Sequence, residues 1–246
     1  MIYVKTNKEI DGIKKAASVW KAVKQIIEKN VMIGISTNEL DEIAGNEIAN
    51  HGAIPTFLNY NNFPKNICIS INEELIHGIP SNRKLKDKDM ITFDVGVTLN
   101  GYVCDSAFTV ILGKNDEAKK ISDATYKSLM ETIKIVKPDV AIGTLGNKTE
   151  EVAKSCGYEV IKDFSGHGCG RQLHEGPNIF NYGKINEGAK LVAGMTICIE
   201  PMLLTETDKY TTLDNNWTIV SKNKKLTCHW EHMVLVTSEG NEILTI

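Results

Sequence analysis

The sequence predicts an α+β fold in one domain, and three observations support this prediction. Four segments carry apolar residues at helical spacing. Six shorter segments have the alternating or continuous apolar pattern of strands. No stretch rich in Ser, Gly or Pro divides the chain, so we expect residues 1–246 to form a single domain.

The predicted helices have clear start and stop signals. Thr6 and Glu9 form a capping box before the first helix, and Ser36 and Glu39 form another before the second. A third helix is expected over 116–136, where Pro138 stops it, and a fourth over about 144–157. These signals place two helices early in the chain and two in its middle.

The predicted strands occupy the segments between the helices and the C-terminal part of the chain: 66–72, 90–97, 102–112, 195–200, 230–237 and 242–246. The sequence also contains a weak internal similarity. The segment 35–37 resembles 142–144, and Asp94 and Glu200 would occupy equivalent positions in two αβ halves. Taken alone, this pattern does not distinguish a repeat from chance.

Composition and charge exclude several classes of protein. The chain has 28 Lys and Arg against 31 Asp and Glu, a balance that argues against a protein built to neutralise nucleic-acid phosphates. The N-terminus lacks a signal-peptide pattern, and the most apolar stretch, 191–204, is short and interrupted by polar residues. We therefore expect a cytoplasmic protein whose six cysteines are reduced thiols.

A hairpin with two aspartates is the most informative local feature. Asn100-Gly101 between two strand patterns predicts a two-residue turn. That turn pairs Gly96 with Asp105 and Asp94 with Ala107. The two aspartates are then diagonal neighbours on one face of the sheet, with their α-carbons about 7–8 Å apart. Converging carboxylates repel and need a cation between them; the alternative is that one aspartate faces solvent near the turn.

Three further residues are candidate ligands. His167 lies between two glycines, Glu200 ends an apolar strand, and Glu231 precedes another. As isolated residues, each could equally be structural or lie at the surface. Together with Asp94 and Asp105 they form an oxygen-rich set that suits divalent ions. Two such ions offset four carboxylates and can lower the pKa of a shared water, which predicts hydrolysis at a carbonyl or phosphoryl centre.

The sequence resembles bacterial type I methionine aminopeptidases over essentially its full length. The motifs that carry this resemblance are at 72–80, 93–97, 166–168, 174–175, 199–201 and 230–232. It implies the pita-bread fold, with two pseudo-symmetric αβ halves around a central dinuclear metal cleft. It also implies removal of the initiator methionine from new chains when the second residue is small and uncharged, through attack by a metal-bridged hydroxide.

The resemblance also implies cofactors and partners. Two divalent ions are expected, with cobalt, manganese, iron and zinc all compatible, and a monovalent cation remains open as an addition. The expected partner is the N-terminal methionine of a nascent polypeptide near the ribosome. Neither nucleic acid nor membrane is an expected partner, and the family favours a monomer.

The resemblance gives roles to individual residues. Asp105 and Glu231 would bridge both ions, Asp94 would chelate one, and His167 and Glu200 would complete the other. Glu200 is also the candidate for proton transfer, with His174 and His77 beside the scissile amide and the following residue. The implied walls of the methionine pocket are Tyr60, Phe63, Cys68 and Trp217, with Phe57 and Leu173 at its edge.

Other cysteine and histidine residues keep a structural interpretation. Strand alternation turns Cys104 away from the metal face, so we expect that it is not a ligand. His51, His229 and His232 are likewise expected to be structural.

Three alternatives remain open at this stage. A proline-specific peptidase shares the fold but usually has an additional N-terminal domain. A non-catalytic binding module would have lost ligands that are all present here. A dinuclear phosphohydrolase would fit the ligand chemistry without the apolar pocket.

Overall fold

The computed structural model describes all 246 residues and confirms the α+β prediction. Its four α-helices are α1 (Asn7–Asn30), α2 (Thr37–Asn50), α3 (Asp116–Ile133) and α4 (Ile142–Ser155). Both predicted capping boxes are formed. Helix α3 ends three residues before the predicted position because residues 134–136 continue only as hydrogen-bonded turns. No helix combines the length and apolar character needed to cross a membrane.

The strands are more numerous than predicted, because many contain only two or three residues. A 3₁₀ turn, Tyr60–Asn62, lies between the first two of them. The fifteen strands are β1 (Ile54–Pro55), β2 (Cys68–Ile71), β3 (Glu74–Ile76), β4 (Met90–Leu99), β5 (Tyr102–Ile111), β6 (Glu159–Val160), β7 (Ser165–Gly168), β8 (Glu175–Phe180), β9 (Thr196–Ile199), β10 (Met202–Leu204), β11 (Tyr210–Thr212), β12 (Ile219–Ser221), β13 (Thr227–His229), β14 (His232–Val236) and β15 (Asn241–Ile243).

The β4–β5 hairpin is the centre of the N-terminal half, and its predicted register is confirmed. Asn100 and Gly101 both have positive φ, as a two-residue hairpin turn requires. Gly96 pairs with Asp105 and Asp94 with Ala107. Strands β1 and β2 pair with the other edge of β4. The hairpin thus places both aspartates on one face of a four-stranded sheet.

Helices α1 and α2 cover this sheet and bury its apolar face. Trp20 of α1 packs edge-on against Phe108 of β5, with ring centroids 6.1 Å apart. Its indole Nε1 donates a hydrogen bond to the Ser106 carbonyl at 3.1 Å. The contact satisfies the polar atom of a fully buried tryptophan, so α1 is fixed in position over the strand that carries Asp105.

The C-terminal half contains a five-stranded sheet in the order β15-β14-β9-β7-β8, together with α3 and α4. A second apolar cluster, which includes Leu129, Leu145, Ile197 and Val234, joins these helices to the sheet. The two halves meet where the Glu231 backbone N–H donates to the Ala107 carbonyl at 3.0 Å. This junction lies directly at the candidate ligands.

Candidate active site

The five candidate ligands converge on one cavity. Asp94, Asp105, His167, Glu200 and Glu231 all line a space of about 210 Å³. They come from β4, β5, β7 and the ends of β9 and β14, so both halves of the fold contribute. The arrangement joins residues that are more than 130 positions apart in the chain.

Backbone hydrogen bonds fix the geometry of this set. The hairpin register sets the spacing of Asp94 and Asp105. Glu231 is held against the hairpin because the Ser106 hydroxyl donates to its carbonyl at 2.5 Å, next to the bond to Ala107. The position of Glu231 therefore depends on the strand that carries Asp105.

His167 presents one ring nitrogen to the carboxylates. Its Nδ1 lies 2.9 Å from the Gly168 carbonyl, which only accepts hydrogen bonds, so Nδ1 carries the proton. Nε2 is left with a lone pair, 3.6 Å from Asp105 Oδ2 and 3.7 Å from Glu200 Oε1. Burial, with a smaller contribution from His174, lowers the pKa of His167 to about 3. A neutral imidazole with a free Nε2 is the form that binds metals.

The carboxylates of the cavity lack neutralising partners. Asp94, Asp105 and Glu231 each have a buried oxygen without a hydrogen-bond partner. Burial raises the pKa of Asp94 to about 7. Burial, and then neighbouring carboxylates, raise the pKa of Asp105, Glu200 and Glu231 well above the usual range. Buried anions of this kind need cations, and oxygen donors with one imidazole fit divalent metal ions.

Two more histidines border the cavity at the positions that the sequence indicated. His77 has a φ of 58°, and its ring packs edge-on against those of Phe164 and Trp217, with ring centroids 5.9 Å apart in both pairs. Burial, with a smaller contribution from His174, lowers its pKa to about 4. His174 Nδ1 lies 2.8 Å from the Tyr60 hydroxyl, and its ring centroid lies 4.4 Å from that of His167. Both histidines can therefore reach a substrate bound beside the carboxylates.

Apolar side chains form the remaining wall of the cavity. Phe63 and Trp217 pack edge-to-face, with ring centroids 5.1 Å apart, and Cys68 pairs opposite Asp94 in the sheet. The cavity therefore joins a charged end to an end suited to a thioether side chain. All six predicted pocket residues line it: Phe57, Tyr60, Phe63, Cys68, Leu173 and Trp217.

Sequence reasoning missed three residues near the cavity. Asn61 lines its entrance. His229 is fully buried, and its Nε2 lies 3.5 Å from Glu200 Oε2. Cys198 has its sulfur within 4.8 Å of ligand atoms of Asp105, His167 and Glu231. A signal was present for the last two, because His229 and Cys198 stand two residues before Glu231 and Glu200, where strand alternation points them to the same side. Cys104 pairs with Val97 and is buried in the apolar core.

Comparison with known proteins agrees with this geometry. Residues 11–238 match metallopeptidase family M24. The chain belongs to this family. This M24 metallopeptidase is 39% identical over 246 residues to methionine aminopeptidase 1 of Bacillus subtilis, covering 100% of the chain and 99% of that relative. Its structure is similar to the crystal structure of methionine aminopeptidase from Rickettsia prowazekii, with a TM-score of 0.98, 34% identity and full coverage of both chains.

A more distant similarity concerns the fold alone. Prolidase from Pyrococcus furiosus has a TM-score of 0.82 at 24% identity, covering 99% of this M24 chain but 65% of the prolidase. Together with the methionine aminopeptidase structures, this confirms the pita-bread fold that the sequence predicted.

Proposed function

We propose that this M24 metallopeptidase removes N-terminal methionine from polypeptides whose second residue is small and uncharged. One observation carries the proposal. A single cavity of about 210 Å³ joins four carboxylates and a neutral imidazole to an apolar, largely aromatic wall. The names of the full-length relatives support the same activity.

The proposed ligands for two divalent ions are the five charged or imidazole residues of the cavity. Asp94 would hold one ion, His167 and Glu200 the other, and Asp105 and Glu231 both. The unpartnered oxygens of Asp94, Asp105 and Glu231 support these roles. When bound, the ions would polarise the scissile carbonyl and activate water for attack. Cobalt, manganese, iron and zinc all suit this mixed donor set.

The chain's own side chains would handle protons and orient the substrate. Glu200 lies at the cavity wall with a raised pKa, so it can take a proton from water and pass it to the leaving amine. The Tyr60 hydroxyl can donate to His174 Nδ1, which leaves Nε2–H to donate to the scissile amide. His77 is placed to contact the leaving amide or the residue after methionine. The aromatic wall at Phe63 and Trp217 would hold the methionine side chain.

Every newly made chain starts with the initiator methionine, so we propose that the enzyme acts in the cytoplasm, close to the ribosome. We further propose that residues 1–246 act as one catalytic domain and as a monomer. The match to full-length relatives of the same size supports a single domain.

The test is peptide hydrolysis after chelation and readdition of single divalent ions. Met-Ala-Ser should be cleaved only when an ion is restored, and Ala-Pro-Ala should not be cleaved. Glu231→Gln should lose activity together with bound metal, whereas the surface variant Glu242→Gln should keep both. Cleavage of neither peptide with any ion would refute the proposal, and cleavage of Ala-Pro-Ala alone would favour a proline-specific enzyme.

A further inference from the structure

One histidine and two cysteine side chains form a cluster next to the carboxylates of the cavity. The imidazole of His167 and the thiols of Cys169 and Cys198 have ligand atoms that are all within 4.8 Å of one another, and all three residues are buried. The proposed function uses only His167 of these three. Cys198 also lies within the same distance of carboxylate oxygens of Asp105 and Glu231.

Strand pairing explains how these residues come together. Gly168 of β7 pairs with Ile197 of β9, so residue 167 stands opposite residue 198. His167 lies in β7, and Cys169 directly follows this strand, where its backbone N–H donates to the Thr196 carbonyl of β9 at 3.1 Å. Strands β7 and β9 therefore fix His167 and Cys198, and the backbone hydrogen bond to Thr196 fixes Cys169.

The two thiols have weak hydrogen-bond partners. Cys198 Sγ lies 3.7 Å from the Asp105 carbonyl, and Cys169 Sγ lies 3.9 Å from the Val103 carbonyl. Sulfur–carbonyl contacts of this length are weak, and breaking them costs little. Both sulfurs are consequently available to a ligand that binds sulfur strongly.

We propose that His167, Cys169 and Cys198 form a binding site for a soft divalent ion such as Cd²⁺, with a carboxylate oxygen of Asp105 or Glu231, near Cys198, as fourth donor. Zinc binds sulfur at about 2.3 Å and nitrogen at about 2.0 Å, so tetrahedral donors stand roughly 3.5–3.8 Å apart. The three donors lie within 4.8 Å of one another, close to those separations. The two thiol protons pass to solvent as the ion binds.

The site has a regulatory consequence, which rests on the proposed function. It shares His167 with the catalytic ligand set, and one imidazole nitrogen binds one ion. An ion held by the two thiols therefore removes His167 from the catalytic set and inhibits the enzyme. Hard ions such as Mn²⁺ prefer oxygen donors and leave the thiols unused. The chain is thus expected to distinguish thiophilic from oxophilic ions.

The test is titration of the reduced, metal-free protein with Cd²⁺, followed by the sulfur-to-metal charge-transfer absorption. One equivalent should develop the band, and Mn²⁺ should give none. Cys198→Ser and Cys169→Ser should each lose about half of the band or more. Two matched thiol controls should keep the band unchanged: Cys104→Ala, on the other face of β5, and Cys228→Ser, buried in a different cluster.

Cadmium NMR of the unaltered protein counts the sulfur ligands without any substitution, which covers the case of a variant that does not fold. A shift typical of two sulfurs is expected. An all-oxygen or oxygen–nitrogen shift, or a band that survives in both serine variants, would overturn the proposal. These measurements do not use activity, so they separate failure of this site from failure of the peptidase assignment. In the activity arm, Cd²⁺ should inhibit the Mn²⁺ enzyme, and Cys198→Ser should resist that inhibition at least severalfold.

Discussion

A buried ion pair holds the N-terminal segment against the segment that carries His174. Lys5 Nζ donates to Glu175 Oε2 at 2.5 Å, and the two side chains are 1% and 0% exposed. The other Glu175 oxygen accepts from the backbone N–H groups of Arg171 and Gln172 at 2.6 and 3.0 Å. Removing the lysine would leave a carboxylate in the interior with two neutral donors and no cation.

The expected cost of Lys5→Met follows from that burial. Breaking one partner of a buried ion pair destabilises a protein by about 3–5 kcal/mol. At about 2–4 °C per kcal/mol for a chain of this size, the melting temperature should fall by roughly 6–20 °C. Urea denaturation gives the free energy of unfolding directly. The double variant Lys5→Met/Glu175→Gln should recover part of the loss, because it no longer contains an unpaired buried charge.

A surface pair provides the control. Lys14 and Glu242 form an ion pair at 2.7 Å, but their side chains are 41% and 46% exposed. Lys14→Met should therefore change the free energy of unfolding by only about 0–1 kcal/mol. Equal, small losses for Lys5→Met and Lys14→Met would refute the reasoning from burial.

Three other predictions concern the cavity. In the metal-free protein, the folded state keeps a proton on Asp94 near pH 7 that the unfolded state has already released. The contribution of Asp94 to stability should therefore fall between about pH 4 and pH 7, by up to about 1.4 kcal/mol per pH unit, and stay constant above pH 7; thermal melts in which Asp94→Asn leaves this pH dependence unchanged would contradict this. Cys104→Ala should leave the measured metal stoichiometry unchanged, and a lost ion would be inconsistent with the hairpin register. Trp217→Ala should raise KM for methionyl peptides more than it lowers kcat, and an effect on kcat alone would argue against its place in the pocket.

Much of the fold could be predicted because its signals are local. Asn100-Gly101 determines a turn and hence the register that joins Asp94 to Asp105. The capping boxes determine where α1 and α2 begin. Strands such as β6 and β13 escaped prediction because two or three residues contain too little periodicity, and they form only through pairing with β10.

The candidate site also contains residues that the sequence could predict and residues that it could not. The residues with unusual chemistry for their segment, such as Glu200 in an apolar strand, were detectable from the sequence. Strand alternation indicated that His229 is on the same side as Glu231, but the contact of His229 with Glu200 was not detectable, because it depends on how β13 packs against distant strands. The thiol group was hidden for a similar reason: Cys169 and Cys198 become neighbours only through the β7–β9 pairing.

The bonds from Glu231 to Ala107 and Ser106 have a consequence for engineering. They make the hairpin and the segment before β14 one interlocked unit, although more than a hundred residues separate them along the chain. A graft of the hairpin alone onto another scaffold would carry its two acidic side chains without Glu231, the carboxylate that these bonds hold beside them. A transplant that preserves the geometry has to move both pieces together.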